Sequence, residues 1–428
     1  MAKEETEVPL LKSSTTGSAT WGQTLGNIIV VIIGTGVLGL PYAFRVAGWL
    51  AGGLGVIIAS ISIYYCMLLL VQCRDTLSSS SSSSDDESDE VHTYGDLGFK
   101  AFGKMGRYLT EFLIVLSQFG GAVAYLIFIG HNLSSRFRTH HISSSSFIFL
   151  LVPMEIALSW FRSLSALAPF SIFADICNAL AMAIVVKQDL QLFDGLSERK
   201  TITSLAALPF AAGVAVFCYE GFGMTLALEA SMSERRRFPW VLAIAFSGIT
   251  LVYVLFGFFG YLAFGERTRD IITINLPNDW SSTAVKIGLC VGLTFTFPIM
   301  MHPINEIIEG KLKQREWFQK LCLNNNSSRG GRARERFFVY VSRAFVVLVA
   351  AVVASSVPGF GVFVSMVGST VSAMLSFVLP TTFHLMFCGS CMRLWQRVLD
   401  ICILSCGLAF AAYGTYNAAS KWDTKGAF

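Results

Sequence analysis

Two interrupted apolar stretches of this chain hold the residues that could do chemistry. Residues 25–49 carry three glycines and Pro41 in their middle, and residues 205–230 carry Glu220 beside two further glycines. Glycine weakens a helix and proline lacks an amide hydrogen, so both stretches predict broken helices with free backbone N–H and C=O groups. Free backbone groups can bind a polar ligand, and a buried carboxyl group can exchange a proton. For the glycines, the alternative interpretation is close helix packing through small residues. For Glu220, the alternative is a neutral side chain that hydrogen-bonds to the exposed backbone.

The elements that position these stretches are membrane spans. The chain has 428 residues, of which 54% are hydrophobic and only 14% are charged, whereas soluble domains have about 25% charged residues. A bilayer span needs roughly 20 apolar residues. The apolar runs therefore predict an all-α polytopic membrane protein with about eleven spans. We place spans 1 to 11 at residues 25–49, 52–71, 108–133, 147–160, 167–186, 205–230, 241–264, 283–308, 337–355, 360–383 and 398–416.

The sequence predicts one transmembrane domain, residues 21–416, between a disordered cytosolic tail, 1–20, and a luminal tail, 417–428. Loop 75–92 is rich in serine and acids and predicts a disordered cytosolic segment. Loop 309–336 is basic. An odd number of spans puts the termini on opposite sides, and the basic loops favour a cytosolic N-terminus and a luminal C-terminus.

Short motifs outside the spans suggest further partners. Acids a few residues before Leu10 and Leu11 resemble a dileucine signal for sorting adaptors, and a plain polar tail is the alternative. We interpret Cys388 and Cys391 as cytosolic thiols, because no second pair accompanies them as a zinc site would require. The sequence predicts no cofactor, no metal site and no nucleic-acid partner.

The two broken spans are five spans apart. Because five is odd, two units of five spans have opposite orientations in the membrane. Inverted repeats with broken helices at matching positions are typical of secondary transporters, which bind substrate at the breaks. This spacing favours a binding site over simple close packing.

Four spans carry distinctive segments: GTGVLGLPYAF at 34–44, Arg162 with LAPFS at 167–171, FCYEGFG at 217–223 with LEA at 228–230, and VGS at 367–369. These segments resemble signatures of the amino acid/auxin permease family, and within it the plant vacuolar transporters of aromatic and neutral amino acids. The resemblance extends from Trp21 to Tyr416. It implies a LeuT-type fold with a 5+5 inverted repeat plus one span, and proton-coupled amino acid transport.

An amino acid substrate, as the resemblance implies, offers a carboxylate, an ammonium group and a side chain. The amides of span 1 begin a half-helix, whose positive dipole end favours the carboxylate. The carbonyls before each break can accept from the ammonium group, and two aromatic side chains could line the side-chain pocket. The predicted substrate-binding residues are Thr35, Gly36 and Val37 (amides), Ile33, Gly34, Phe217 and Cys218 (carbonyls), Tyr219 and Gly221 at the second break, and Tyr125 and Phe222 (pocket).

Glu220 is the predicted proton-coupling residue, since carboxyl groups within a membrane are costly and functional by default. Asp175 is the second candidate, at a position in span 5 where the family pattern suggests an uncharged polar residue. Glu155 and Glu306 lie near span ends, so solvated or ion-paired roles are expected.

The resulting hypothesis is a proton-coupled transporter, not an enzyme, that moves neutral amino acids, aromatic ones included, across the vacuolar membrane from lumen to cytosol. The plasma membrane is the alternative location. A sensor that binds amino acids at the same site without transport is the alternative function.

Overall fold

The computed structural model describes residues 17–81, 91, 93–136, 143–160, 168–191, 199–277, 279–316, 318–319, 328–357, 359–389 and 392–426. The dileucine tail, most of the serine-rich loop, Arg162 and Cys391 lie outside these residues.

Helices occupy all eleven predicted span positions. Eight of them are long and apolar enough to cross a membrane, and a ninth span is counted if the bent pair of span 1 is taken as one. Of the two remaining positions, that of span 4 holds a shorter apolar helix, and that of span 5 holds a helix outside this count. The spans are Trp21–Ile32 (1a) and Thr35–Ala47 (1b), Trp49–Ser81 (2), Tyr94–Arg136 (3), Ser144–Ser159 (4), Ala168–Gln191 (5), Leu208–Cys218 (6a) and Phe222–Ser231 (6b), Phe238–Phe264 (7), Trp280–Lys313 (8), Ser328–Ser356 (9), Phe360–Phe387 (10) and Leu394–Gly426 (11).

Spans 1 and 6 are broken, as the glycine pattern predicts. Span 1 bends by 47° between its two halves. Span 1b begins as a 3-10 turn, Thr35–Gly39, before Pro41 takes an early position of its α-helical part, where a missing amide hydrogen costs least. In span 6, residues 219–221 separate the two halves.

Two groups of four spans form the body of the domain. Spans 1, 2, 6 and 7 pack against one another, and spans 3, 4, 8 and 9 form the second group. Span 5 lies between spans 7 and 8, while span 10 packs on span 6a and span 11 covers span 10. Each group therefore holds two pairs of corresponding spans of the predicted repeats, 1 with 6 and 2 with 7 in the first group, and 3 with 8 and 4 with 9 in the second.

Several helices are longer than the predicted spans. Span 2 continues to Ser81, so the start of loop 75–92 is helical, and span 11 continues through most of tail 417–428. Both ends of loop 309–336 are helical too. Extending a formed helix needs no new nucleation, and in span 2 the hydroxyls of Thr76 and Ser78 bond the carbonyls four residues earlier.

Span 10 departs from a regular α-helix. It has π-helical turns at Gly368–Ser372 and Met374–Val378. A Cβ atom on Gly368 would lie 1.9 Å from the carbonyl oxygen of Gly213 in span 6a, so only glycine permits this backbone contact. The VGS motif thus brings span 10 directly against the broken span 6.

Candidate functional site

The break of span 1 exposes backbone groups at the centre of the domain. Ile33 and Gly34 are extended rather than helical. The first backbone hydrogen bond of span 1b runs from the Val37 amide to the Gly34 carbonyl at 3.4 Å. The amides of Thr35 and Gly36 come before it, and the first amides of a helix have no acceptor within that helix.

The break of span 6 has the same character. Span 6a ends at Cys218, and the amides of Tyr219 and Glu220 bond back to its last turn at 3.2 and 3.3 Å. Span 6b then begins at Phe222 after Gly221, so its first amides lack acceptors within their helix. Each break therefore presents a helix C-terminus followed by a helix N-terminus.

The two breaks contact each other. A Cβ atom on Gly36 would lie 3.1 Å from the sulfur of Cys218 and 3.1 Å from the Phe217 ring. A Cβ atom on Gly221 would lie 3.5 Å from the side chain of Ile32 at the end of span 1a. The start of span 1b thus packs on the end of span 6a, and the end of span 1a packs near the start of span 6b.

Tyr253 of span 7 links the two breaks. Its hydroxyl is 3.1 Å from the carbonyl oxygens of both Ile32 and Cys218, which end spans 1a and 6a. A tyrosine hydroxyl has one hydrogen to donate, so the two carbonyls share it. The Tyr253 side chain is fully buried. It holds together the two negative helix ends where a cationic group is expected to bind.

Asn178 of span 5 contacts the same region. Its side-chain amide donates to the Gly34 carbonyl at 3.3 Å, while its carbonyl oxygen has no partner among the described residues. Gly34 and Cys218, two of the predicted ammonium acceptors, therefore each already accept from a side chain. The Gly34 carbonyl also accepts from the Val37 amide, so both of its lone pairs are in use, whereas the Cys218 carbonyl keeps a second lone pair that can serve a ligand.

Glu220 lies within the break, where the sequence places it. The hydroxyls of Ser117 in span 3 and Ser372 in span 10 face its carboxyl group. Among the described residues, its Oε2 atom and both hydroxyls lack a hydrogen-bond partner at normal distance. A buried polar atom without a partner is uncommon and calls for an explanation, such as a ligand or an exchanging proton.

The second predicted carboxyl group sits elsewhere. Asp175 lies near Tyr125 of span 3, eight residues from Ser117 on that helix. One Asp175 oxygen, Oδ2, is buried without a partner among the described residues. Asp175 and Glu220 thus face different turns of span 3.

Of the predicted aromatic residues, Tyr219 turns toward span 7. Its ring stacks on Phe246 at 5.6 Å between centroids, and its hydroxyl donates to Thr250 at 2.9 Å. Phe222 is fully buried at the start of span 6b. Tyr219 contributes packing beside the break.

The expectation for Glu155 is wrong. Its side chain is fully buried, and within the described chain neither carboxyl oxygen has a hydrogen-bond partner. Span 4 packs on spans 3, 8 and 9, which removes the span end from solvent. Glu306 is exposed over 68% of its side chain and lies 4.0 Å from His302.

One face of the domain is closed next to the site. We call it the N-side, the face where span 1 begins. There the Ala19 amide donates to the Ser231 carbonyl, and the Ser233 amide donates to the Ala19 carbonyl, both at 3.0 Å. Glu229 of span 6b also pairs with Arg74 of span 2, whose Nη2 lies 2.9 Å from Oε1, and both side chains are at least nine-tenths buried.

The family model of transmembrane amino acid transporter proteins matches residues 17–420. The chain belongs to this family. Two Arabidopsis thaliana relatives are "Amino acid transporter ANT1", 58% identical with 96% of each chain covered, and "Amino acid transporter AVT3B", 38% identical with 98% and 97% covered. These matches confirm the resemblance to the amino acid/auxin permeases and fit its plant vacuolar branch. Members of this family are transporters, not enzymes.

The solved structure of MhsT in complex with L-phenylalanine has the same fold as this amino acid transporter. The TM-score is 0.50 at 13% identity, over 94% of this chain and 99% of that one. The similarity confirms the predicted LeuT-type fold.

Sequence reasoning missed several residues of the transporter's site. Asn178 and Tyr253 could have been noticed as polar side chains within apolar runs. Ser117 and Ser372 gave no signal, because serine is common in membrane helices. Their place beside Glu220 depends on how spans 3 and 10 pack.

Proposed function

We propose that this chain is a proton-coupled transporter of neutral amino acids, aromatic ones included. The observation that carries the proposal is the position of Glu220, a carboxyl group with a partnerless buried oxygen inside one of two touching helix breaks. The family membership supplies the substrate class.

The breaks offer complementary charges for the two ends of an amino acid. The free amides of Thr35 and Gly36 suit the carboxylate. The paired ends of spans 1a and 6a, held by Tyr253, suit the ammonium group. Because both helix ends are buried, little water competes with these bonds. A substrate without both charged groups would leave buried polar atoms unpaired.

Glu220 would couple the proton to this site. A substrate ammonium group near the breaks favours a charged carboxylate, whereas an empty buried site favours a neutral carboxylic acid. Proton and substrate then change each other's binding free energy, which is the thermodynamic condition for coupling. Asp175 remains a second candidate for the proton.

We further propose that the transporter resides in the vacuolar membrane with the N-side facing the cytosol, so that the proton gradient drives substrate from lumen to cytosol. The basic loops and the similarity to Arabidopsis transporters support this assignment. Protease protection of tags at the two termini tests the orientation. A tagged protein with Leu10 and Leu11 replaced by alanine tests the sorting signal, with the plasma membrane as the alternative location.

Uptake by proteoliposomes tests the function. Purified protein is given a panel of labelled neutral, aromatic, acidic and basic amino acids, with and without an imposed pH gradient. We expect neutral and aromatic amino acids to accumulate only when the substrate side is acidic. Binding without uptake would instead support a sensor, and uptake that ignores the pH gradient would refute proton coupling.

A further inference from the structure

Two thiols meet on the N-side, away from the substrate site. Cys388 follows the last turn of span 10, and its sulfur lies 3.4 Å from the hydroxyl of Thr76 in span 2. Cys73 lies three residues before Thr76, hence on the same face of span 2. The Cys73 thiol also faces Cys388 and donates a hydrogen bond to it.

The two thiols differ in access. Cys73 is fully buried, whereas Cys388 is partly exposed beyond the end of its helix. Neither forms a disulfide in the structure. A reagent from the N-side would therefore meet Cys388 first, with Cys73 directly behind it.

Cys388 is also the more acidic thiol. The hydrogen bond donated by Cys73 lowers its pKa to about 6, and Thr76 and His384 act in the same direction, while partial burial and Asp400 oppose them. At pH 7 a group with that pKa is roughly 90% ionised, whereas an ordinary thiol with a pKa near 8.5 is only a few per cent ionised. The thiolate is the nucleophilic form of cysteine.

We propose that Cys388 and Cys73 form a peroxide-reactive pair, a modification site whose oxidation joins span 10 to span 2. The substrate class is hydrogen peroxide or a small alkyl hydroperoxide. Neither thiol touches the helix breaks, so this site is separate from amino acid binding.

The chemistry balances in two steps. The Cys388 thiolate attacks one oxygen of the peroxide, the O–O bond breaks, and the leaving oxygen takes up a proton as water or alcohol. Cys388 is then a sulfenic acid. The Cys73 thiol next attacks that sulfur, the S–O bond breaks, and water leaves with the thiol proton. Two thiols and one hydrogen peroxide thus give one disulfide and two waters, and a dithiol reverses the reaction by exchange.

The disulfide would fix two spans that belong to different parts of the fold. Span 2 packs with spans 1, 6 and 7, whereas span 10 lies outside that group and packs on span 6a and, through its last helix Leu379–Phe387, on span 2. Intracellular disulfides of this kind are typically transient and regulatory. We expect oxidation to slow any transport step that moves these spans apart, and a dithiol to restore the rate.

Peptide mapping of the purified full-length protein after hydrogen peroxide treatment tests the proposal. The expected product is a Cys73–Cys388 disulfide in both the wild type and Cys391→Ser, because Cys391 is the competing thiol three residues away. Cys73→Ser should instead accumulate a sulfenic acid at Cys388 that dimedone traps. A disulfide from Cys388 to Cys391, with Cys73 still reduced in the wild type, would overturn the proposal.

A second measurement does not depend on any variant folding. The rate of alkylation of Cys388 by iodoacetamide in the wild type should rise with pH through about 6 and level off above it. The exposed thiols Cys402 and Cys406 provide the internal comparison. A rate that rises only above pH 8 would show an ordinary thiol and contradict the proposed pair.

Discussion

Removing the hydroxyl of Tyr253 tests whether the two helix breaks work as one site. Tyr253→Phe keeps the ring, which packs against Tyr219 at 5.1 Å between centroids. It deletes the hydroxyl that contacts both the Ile32 and Cys218 carbonyls at 3.1 Å. The substitution therefore changes the polar link and leaves the apolar packing in place.

The size of the effect follows from the burial of these groups. Leaving a buried acceptor without its donor costs about 1–3 kcal/mol. At 1.4 kcal/mol for each tenfold change, that is roughly 5- to 150-fold in an equilibrium constant. If the link holds the breaks in their binding arrangement, substrate affinity falls by that factor and the unfolding temperature falls as well.

The assay is equilibrium binding of a labelled amino acid to purified protein, with thermal unfolding measured on the same sample. Tyr64→Phe is the matched control, because its hydroxyl donates to the Pro239 carbonyl at 3.3 Å, away from the breaks. The control should lose little affinity. Equal affinities for Tyr253→Phe and Tyr64→Phe would refute the idea that Tyr253 organises the binding site.

Two further predictions concern the packing around the site. Glu229→Gln breaks a buried ion pair and removes the buried charge partner of Arg74, which costs about 3–5 kcal/mol, so thermal unfolding should show a clear loss of stability. Asp75→Asn, at the exposed partner of the same arginine, should have little effect. An unchanged unfolding temperature for Glu229→Gln would contradict the assigned pair. Gly368→Ala places a methyl group 1.9 Å from a backbone oxygen and should abolish the folded monomer in size-exclusion chromatography, while Gly55→Ala, with open space around it, should fold normally. Normal folding of both alanine variants would argue against the close contact of spans 6a and 10.

The sequence predicts the spans and their breaks because both depend on local chemistry. Apolar length marks each span, and the glycines of residues 34–39 and 221–223 mark the interruptions. The positions of helix ends were less predictable, as the helical extension to Ser81 shows. Polar composition there indicated a loop, but a helix already formed by span 2 propagates through serine at little cost.

Residues of the site were predictable only where the residue type alone is unusual for its surroundings. Glu220 stands out as a carboxyl group in an apolar run. The role of Tyr253 depends on two carbonyls from distant spans, and no spacing in the sequence reveals that they meet. For Glu155 the prediction was wrong. Its position near a span end suggested contact with solvent, but the packing of neighbouring spans buries the side chain.

The central claim is that Glu220 carries the coupled proton at the helix breaks. Glu220→Gln keeps the shape and hydrogen-bonding reach of the side chain but cannot ionise. The direct measurement compares wild-type and Glu220→Gln proteoliposomes in two modes, uptake driven by a pH gradient and exchange of labelled for unlabelled amino acid without a gradient. We predict that the variant retains exchange and loses pH-driven accumulation. Accumulation that still follows the pH gradient in Glu220→Gln, and disappears in Asp175→Asn, would contradict the account and assign the proton to Asp175.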